Sequence, residues 1–583
     1  MPVRNGAHCA RLVMSFFLLG MIAVGCGPSA AETALPATPG RTPQSSPTPP
    51  PTATAFAPAG EPTATGEDGG SAYSQNDLFA TAGLCASCHT DMTTGTGMDV
   101  SIDPDWRVSV MANAGIDPLW QAAVAHLYAM HPDQEAQIES TCSTCHVPMP
   151  AVSAAAEGET VELLGEGGIV DSSTALDPFS AEGVSCTVCH QIRADNLGFQ
   201  RSYSGGFLID TELRPPFRLI FGPYLVPDDL ASLMQDAAGF RPEQGPHLGQ
   251  SESCATCHTV YADYLDAFGE VAGTLPQQTT YLEWFYSDYS SFAGCVDCHM
   301  EDADSGVRIA VQSQALRSPF ERHTFLGGNA FILQVLSVFH ADELLAAAES
   351  YLAASAEIEA FLEAETANVT LADVRVISRN LYADILVENN AGHKFPTGFP
   401  SRRAWLHIIV EDVSGNIIFE SGGFRADGSI VGNASDEGTD GFEPHYLAIV
   451  QEDQVQIYET ILQSTENVIT TDLLYAARYL KDNRLLPPGY ERDAPYEDLA
   501  PRGRAVEDED FNLGEDVVEL IAPLGEAEGP FFLRVELLFQ PVSYRWLEDM
   551  ALSGSDVVQQ LTWAFSEVDN TPIIIAVDEA NLE

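Results

Sequence analysis

The sequence contains very little lysine. Lys394 and Lys481 are its only two lysines, and Lys plus Arg number 26 against 84 Asp plus Glu, which gives a formal net charge of −58. A charge this negative repels nucleic acid and anionic lipid headgroups and favours basic protein partners. We therefore expect no nucleic-acid binding. A solvated, salt-adapted or acid-tolerant surface is the alternative interpretation of the same charge.

The N-terminus lacks an apolar run long enough for a comfortable membrane span. Its apolar stretch covers only residues 12–24, after Arg4 and Arg11, and is closed by Gly25 and Cys26. This pattern is typical of an export signal. The residues Ala-Val-Gly-Cys26 resemble a lipoprotein cleavage box, so we expect a lipoprotein-type signal over 1–26 and a membrane anchor through lipidated Cys26. Plain signal cleavage and an uncleaved anchor are the alternatives, and each places the rest of the chain outside the cytoplasm.

Residues 27–72 have too little apolar content to fold. They consist mainly of Pro, Thr, Ala, Ser and Gly, as in the run from Pro47 to Phe56. Such a segment is extended and partly polyproline-like. We expect it to be a disordered tether between the signal and a folded region that begins near residue 73.

No cysteine is left over in the body of the chain. Of the 12 cysteines, Cys9 and Cys26 belong to the signal segment. The other ten form five Cys-x-x-Cys-His motifs, which are Cys85–Cys88–His89, Cys142–Cys145–His146, Cys186–Cys189–His190, Cys254–Cys257–His258 and Cys295–Cys298–His299. Disulfides would not require a histidine after every pair, and zinc ribbons would need the pairs joined in fours.

The spacing of these motifs fits covalent haem attachment. Two cysteines one helical turn apart can form thioethers with the vinyl groups of one haem, and the next histidine can bind its iron. The sequence therefore predicts five covalently attached c-type haems with the five motif histidines as proximal iron ligands.

Low-spin haems need a second axial ligand, and eight histidines outside the motifs and the signal are candidates. Four lie in loop settings that favour ligation, namely His247, His323, His393 and His445; His131 is a fifth candidate. His126 and His131, five residues apart on a predicted helix, point in different directions, so both are not expected to bind nearby irons. His407 in a strand-like run and His340 at the start of a helix are expected to be ordinary residues. Met111 is a further candidate ligand.

The pattern of apolar residues changes along the chain. Residues 73–338 predict a pentahaem region of short helices and long loops, with helical segments near 104–140 and 225–238, followed by a connecting helix over 339–366. Period-two alternation, as in 381–387 and 531–539, then predicts a β-sandwich-like domain over 367–583, with a helical insert at 471–481. The expected fold class is α+β.

Several long strings resemble a known family. They include Trp106-Arg-Val-Ser-Val-Met-Ala-Asn-Ala, Gly183-Val-Ser-Cys-Thr-Val-Cys-His, Gly327-Gly-Asn, Gly392-His-Lys-Phe-Pro-Thr-Gly-Phe-Pro-Ser-Arg-Arg and Lys481-Asp-Asn-Arg-Leu-Leu-Pro. Over roughly 85–550 the chain is similar to large bacterial multihaem cytochromes related to the cytochrome c partners of hydroxylamine oxidation. This resemblance implies periplasmic or surface electron transfer and histidines in settings like those of His131, His247, His323, His393 and His445.

The leading hypothesis is an electron carrier that relays electrons through five haems outside the cytoplasm. Its expected partners are redox proteins, such as basic cytochromes or a membrane quinol-oxidising complex. The alternative is an oxidoreductase with one five-coordinate haem acting on a small nitrogen or sulfur compound. In that case Tyr281, Glu283 and Arg322 would be candidate groups above the open iron. A docking role for the C-terminal domain is a third possibility.

Overall fold

Short helices dominate the part of the chain that carries the five motifs. The computed structural model describes residues 73–163, 168–169, 177–339, 345–438 and 441–583. The predicted signal, the predicted tether and His340 lie outside these residues. The helices of the motif region are α1 (Ala82–Ala86), α2 (Ile102–Arg107), α3 (Pro118–Met130), α4 (Glu135–His146), α5 (Pro148–Glu157), α6 (Pro178–Ala181), α7 (Cys186–Cys189), α8 (Asp228–Ala238), α9 (Ser251–His258), α10 (Thr280–Phe285) and α11 (Cys295–His299).

Every motif lies on one of these helices or runs off its end. The second, fourth and fifth motifs end α4, α9 and α11 at their histidines, and the third motif forms α7. Residues three apart lie on the same side of a helix. The two cysteines of each of these four motifs therefore share a helical face, as attachment to one planar group requires.

Three small strand pairs complete the motif region. A parallel pair joins β1 (Arg218–Gly222) and β2 (Phe240–Gln244), with α8 between them. Antiparallel pairs join β3 (Val260–Leu265) with β4 (Val271–Gln278), and β5 (Val307–Arg308) with β6 (Leu316–Arg317). The first two pairs lie in the connections on either side of the fourth motif, and the third pair follows the fifth motif.

Two helices link the motif region to the strand-rich remainder. They are α12 (Ala330–Phe339) and α13 (Ala348–Glu365), which pack on each other. Tyr351, Ile358 and Leu362 form the buried side of α13, at a spacing that keeps them on one helical face. The helix expected over 339–366 therefore corresponds to α13.

The C-terminal region consists mainly of strands. They are β7 (Ala367–Ile377), β8 (Asn380–Asn389), β9 (Arg403–Glu411), β10 (Ile417–Ser421), β11 (Ala448–Ile449), β12 (Ile457–Tyr458), β13 (Thr460–Ser464), β14 (Ala476–Asp482), β15 (Glu515–Pro523), β16 (Phe531–Gln540) and β17 (Ile573–Leu582). Two helices, α14 (Tyr544–Ala551) and α15 (Asp556–Glu567), precede β17. The expected α+β class is confirmed.

The strands form two main sheets. One has the order β11-β15-β8-β7, and the other has the order β10-β9-β16-β17 with β12 also paired to β9. The edge strands β7 and β17 contact each other, and the backbone N–H of Leu371 donates to the Asp578 carboxylate across this contact at 2.8 Å. Residues of β8 alternate between buried and half-buried, as the period-two pattern predicts.

The helix predicted at 471–481 is wrong. Residues 476–482 instead form β14, which pairs antiparallel with β13, and β14 also contacts β3 and β4 of the motif region. Ala and Leu favour helix locally, but pairing with a neighbouring strand outweighs that weak preference. Among the described residues, no helix is both long and apolar enough to span a membrane.

Candidate haem centres

Four of the five motif histidines are oriented by backbone carbonyls. His89 Nδ1 lies 2.6 Å from the carbonyl oxygen of Ile309, and His190 Nδ1 lies 2.6 Å from that of Phe221. His146 and His299 make the same contact with Ala114 and Leu326. Because a carbonyl only accepts, Nδ1 must carry the proton and donate it. Nε2 of each ring is then left with a lone pair for a metal.

Burial keeps the motif histidines in the form that binds a metal. Burial lowers the pKa of His146 and of His258 to about 4. The pKa values of His89, His190 and His299 are lowered by the same cause. The rings are therefore neutral at neutral pH, and a neutral imidazole is the form that ligates.

Two motif histidines face a second imidazole across a gap. The ring centres of His190 and His323 are 6.4 Å apart with planes inclined by 12°. Those of His299 and His393 are 6.2 Å apart with planes inclined by 9°.

These distances match two ligands on opposite sides of one metal. A metal–imidazole bond is about 2 Å long and the ring nitrogen lies roughly 1 Å from its ring centre, so two such rings have centres roughly 6 Å apart. A direct stack would bring the rings much closer. The third and fifth motifs therefore each have a second imidazole, that of His323 and of His393, at the separation of two ligands of one metal ion.

The loop that carries His393 is held by buried polar groups. His393 Nδ1 donates to the carbonyl of Lys394 at 2.9 Å, and the Asn389 amide donates to the carbonyl of His393 at 2.8 Å. The Glu283 carboxylate accepts from the backbone N–H of Lys394 at 3.2 Å and from the Thr397 hydroxyl. His393 is thus presented to the fifth motif by an anchored turn.

Glu283 belongs to a buried ion-pair network. Arg484 contacts both Glu283 at 3.1 Å and Asp482 at 2.8 Å, and Asp482 also contacts Lys394 at 2.8 Å. The other lysine, Lys481, pairs with Glu459 at 2.9 Å, and both lysines are 1% exposed or less as side chains. This network was not predicted from the sequence. The occurrence of both lysines within two of the quoted strings is the sequence feature that could have indicated it.

The other groups suggested for an open iron have structural partners. Glu283 is bound in the network, and Tyr281 is buried among Tyr203, Trp284 and Phe285. Arg322 pairs with Asp105 at 3.0 Å. Met111 follows α2, and its carbonyl accepts from Val184 N at 3.0 Å.

His247 lies beside the third motif. Its Nε2 donates to the carbonyl of Ile192 at 2.8 Å, two residues after His190. The preceding Gly245 is required there, because a Cβ at that position would lie 2.6 Å from Phe221 and 2.7 Å from the His247 ring. Nδ1 of His247 remains available for a metal.

His131 and His126 are neighbours near the second motif. The His131 Nε2 contacts the Asp472 carboxylate, and its ring centre is 4.9 Å from that of Tyr475. His126 Nδ1 lies 3.2 Å from the carbonyl of Met550. Each ring keeps one nitrogen for another partner.

His445 and His407 use both ring nitrogens within the C-terminal region. His445 Nε2 lies 3.0 Å from Asp508, and its Nδ1 lies 2.9 Å from the Gln456 amide nitrogen. His407 lies 3.0 Å from both Glu420 and Glu536. These contacts leave no nitrogen of His445 for the iron that the sequence analysis assigned to it, and they agree with a structural role for His407.

His445, Asp508 and Asp516 lie close enough together to surround a cation, but the hydrogen bonds oppose this. The amides of Gln456 and Asn483 are fixed by backbone groups, so both point an N–H at His445 Nδ1. Nδ1 must therefore be the acceptor, and Nε2 carries the proton that it donates to Asp508. A protonated Nε2 cannot bind a metal.

The first and third motifs are in direct contact. The Thr187 hydroxyl, inside the third motif, donates to the carbonyl of Ala80 at 2.7 Å, just before the first motif. The Glu182 carboxylate accepts from the backbone N–H of Ala82 at 2.7 Å and from the Ser185 hydroxyl at 2.8 Å. The side chains of Cys85 and Cys186 are within hydrogen-bonding reach.

The fourth motif and the residues just before it lie next to three of the other motifs. Cys295 N of the fifth motif donates to Ser251 Oγ on α9 at 3.1 Å. Gly205 N donates to Thr256 O in the fourth motif at 2.7 Å, and a Cβ on Gly205 would collide with Thr144 of the second motif. His247, on the turn before α9, provides the contact to the third motif already described. The contacts therefore run from the first motif to the third, and from the third to the fourth. At the fourth motif they branch to the second and to the fifth.

Among proteins of known structure, the chain resembles a cytochrome with several haems. A penta-haem cytochrome c552 from Thermochromatium tepidum is 17% identical in sequence and has a TM-score of 0.49, over 86% of this chain and 98% of the other. No protein-family profile matches the chain. No curated protein matches it either.

Proposed function

We propose that the protein is a multihaem c-type cytochrome that transfers electrons through five covalently attached haems. The observation that carries this proposal is the two pairs of facing imidazoles, His190 with His323 and His299 with His393, because each pair has the separation of two axial ligands. The five motifs supply the attachment chemistry, and haem itself supplies the one-electron chemistry. The protein's residues hold the groups at fixed positions.

The remaining second ligands are proposed from the histidines that keep a free nitrogen. These are His247, which lies against the third motif, and His131, near the second motif. His126 is the further choice. His445 is left out because both of its ring nitrogens bond to the protein.

The contacts between motifs support a branched relay. The first, third and fourth motifs form its trunk, and the second and fifth motifs extend from the fourth. Contact through single hydrogen bonds and adjacent cysteines keeps the attached groups within tunnelling range of each other. The fourth haem would then be the point through which electrons pass between either branch and the trunk.

The proposed location is outside the cytoplasm, because thioether haem attachment and an N-terminal signal fit an exported protein. Lipid attachment at Cys26 and the tether over 27–72 would hold the folded region at a membrane. With a formal charge of −58, the proposed partners are basic redox proteins; a membrane quinol-oxidising complex is a further proposed partner.

Optical and EPR spectra of the ferric protein test this function. We expect a haemochrome assay to give five haems per chain and EPR to give only low-spin signals, because the proposal gives every iron two axial ligands. A high-spin signal equivalent to one haem would contradict the pure carrier and support the second candidate.

That second candidate is an oxidoreductase with one five-coordinate haem. It is favoured by one observation: within the described residues, His89, His146 and His258 have no imidazole facing them as His190 and His299 do. A small ligand such as cyanide or nitrite would then change the spectrum of one haem at stoichiometric occupancy. Five low-spin haems unaffected by either ligand would exclude it.

A further inference from the structure

Arg402 lies at the junction between the motif region and the sheets. It immediately precedes β9, in the string that also carries His393. Its guanidinium donates to the carbonyl of Thr397 at 2.7 Å and to the Asn329 side-chain oxygen at 2.9 Å. Asn329 belongs to the Gly-Gly-Asn string, so this contact joins two of the strings quoted from the sequence.

Gly398 makes room for the guanidinium. A Cβ on Gly398 would lie 2.9 Å from Arg402 Nη1, whereas a Cβ on Gly328 would be in ordinary contact with the same atom at 3.6 Å. Gly398 has a φ of +86°, which side chains rarely adopt. The backbone at Gly398 therefore leaves space for the Arg402 guanidinium, and its two hydrogen bonds hold it in place.

This cation has no acidic partner in the described part of the chain. Its two hydrogen bonds go to neutral oxygens, and burial alone lowers the pKa of Arg402 to about 10. Its neighbour Arg403 differs, because Arg403 pairs with Asp436 at 2.9 Å. Arg484 likewise pairs with two carboxylates. Charges with restricted access to water are normally paired, so the half-buried Arg402 can accept an anion that the described part of the chain does not provide.

The position of Arg402 indicates which anion this is. Its charge acts on both His258, of the fourth motif, and His393, the partner of His299 in the fifth. Every haem attached at these motifs would bring two propionates. The Arg402 side chain is only half-buried in the protein alone, so one side of it remains open to such a group.

We propose that Arg402 binds a haem propionate between the fourth and fifth motifs, with Thr397 and Asn329 as the neutral groups that aim its guanidinium. The proposal rests on haem attachment at those motifs, which is part of the proposed function. A planar guanidinium donates two parallel hydrogen bonds to a carboxylate, which suits this role. A free oxyanion held over an open iron would use the same chemistry, and the test must separate the two.

The test compares holoprotein variants by optical redox titration at neutral pH. Arg402→Gln removes the cation and leaves an uncompensated carboxylate, which stabilises the ferric state. We expect one haem to become at least about tenfold harder to reduce, which corresponds to about 59 mV for one electron. Arg402→Lys, which keeps a charge, should shift less. Arg375→Gln, which removes an exposed arginine of β7, should leave all five potentials unchanged.

A second variant tests the same proposal if Arg402→Gln does not fold or does not acquire its haems. Asn329→Asp is isosteric and gives Arg402 a carboxylate partner within the chain, so it should compete with the propionate and lower the same potential. Unchanged potentials in either variant, with five haems attached, overturn the proposal.

Nitrite and sulfate serve as free-oxyanion probes. The propionate proposal expects no saturable spectral change with either probe in the wild type. A saturable change that is lost in Arg402→Gln would assign the residue to a free anion instead and overturn the propionate. Haem counting separates both results from a failure of the proposed function, because a chain without five haems refutes that function first.

Discussion

At the scale of single residues, the partners of each histidine separate candidate ligands from structural groups. His323 and His393 face motif histidines at a ring separation that fits two ligands of one metal ion. His407 and His445 instead use both ring nitrogens in contacts with side chains. A sequence shows that histidines are present but not which nitrogens are occupied. This explains why local setting pointed to His323 and His393 and also to His445, whose Pro-His-Tyr loop looked similar.

Replacing His393 by Met should change one haem. Methionine is a softer ligand than imidazole and raises the reduction potential of an iron that it shares with histidine. His393→Met should therefore raise one potential and alter the absorbance of about one haem in five, as followed by redox titration. His407→Gln is the control, since His407 lies on β9 among carboxylates, and it should leave all potentials alone. Identical titrations for the two variants would contradict the ligand assignment.

Glu182 should make stability depend on pH. Burial raises its pKa to about 7, against a usual value of 4.5, so the folded state holds the proton more tightly than the unfolded state. Its contribution is full below about pH 4.5 and is lost as the pH rises through about 7. Glu182→Gln removes this titration, so its melting temperature relative to the wild type should rise between pH 5 and pH 8. A constant difference over that range would mean that Glu182 is ionised throughout.

At the scale of elements, alternation and motif spacing predicted more than helix propensity did. The strands at 381–387 and 531–539 correspond to parts of β8 and β16, because period-two burial reflects a property of every strand. Residues 476–481 were predicted helical and form β14, since the deciding contacts come from β13 and from distant β4. The turn that presents His393 was predicted as a loop. Its anchoring by Glu283, distant in sequence, is visible only in the fold.

Removing Glu283 should loosen that turn. Glu283→Ala deletes the acceptor of Lys394 N and Thr397 and leaves Arg484 with one carboxylate fewer in a buried site. Breaking a buried ion pair on one side costs about 3–5 kcal/mol. We expect a loss of this size in the free energy of unfolding, measured by circular dichroism in urea, together with a changed spectrum of one haem. Glu357→Ala, on the half-exposed side of α13, is the matched control and should have little effect on either. Equal losses in both variants would mean that the network does not support the turn.

At the scale of the whole molecule, both lysines are buried although the chain is strongly acidic. The chain carries 84 acidic residues, yet both lysines are enclosed in ion pairs. The positive charge of lysine is thus used inside the fold, and the acidic excess remains to shape the surface field. Composition alone predicted a negative surface but could not predict that the lysines would be internal.

Electron exchange with a basic partner should depend strongly on salt. Opposite charges speed association at low ionic strength, and salt screens the attraction. The second-order rate constant for electron transfer to a basic cytochrome c should fall by roughly tenfold or more between about 10 and 300 mM NaCl, as measured by stopped flow. An acidic redox protein of similar potential is the control, and its rate should rise with salt. A rate with the basic partner that is independent of salt would remove the electrostatic basis for the proposed partners.

The downstream positions of His323 and His393 also set an order of events in biogenesis. If the chain is exported as proposed, the cysteines of the third and fifth motifs would emerge well before the histidines that face them, since a chain folds from its N-terminus as it emerges. Haem attachment can therefore precede completion of the coordination sphere. On this schedule the fifth motif stays open to solvent until the turn after β8 has formed. Assembly would then finish with the folding of the sheets, since His393 lies between two of their strands.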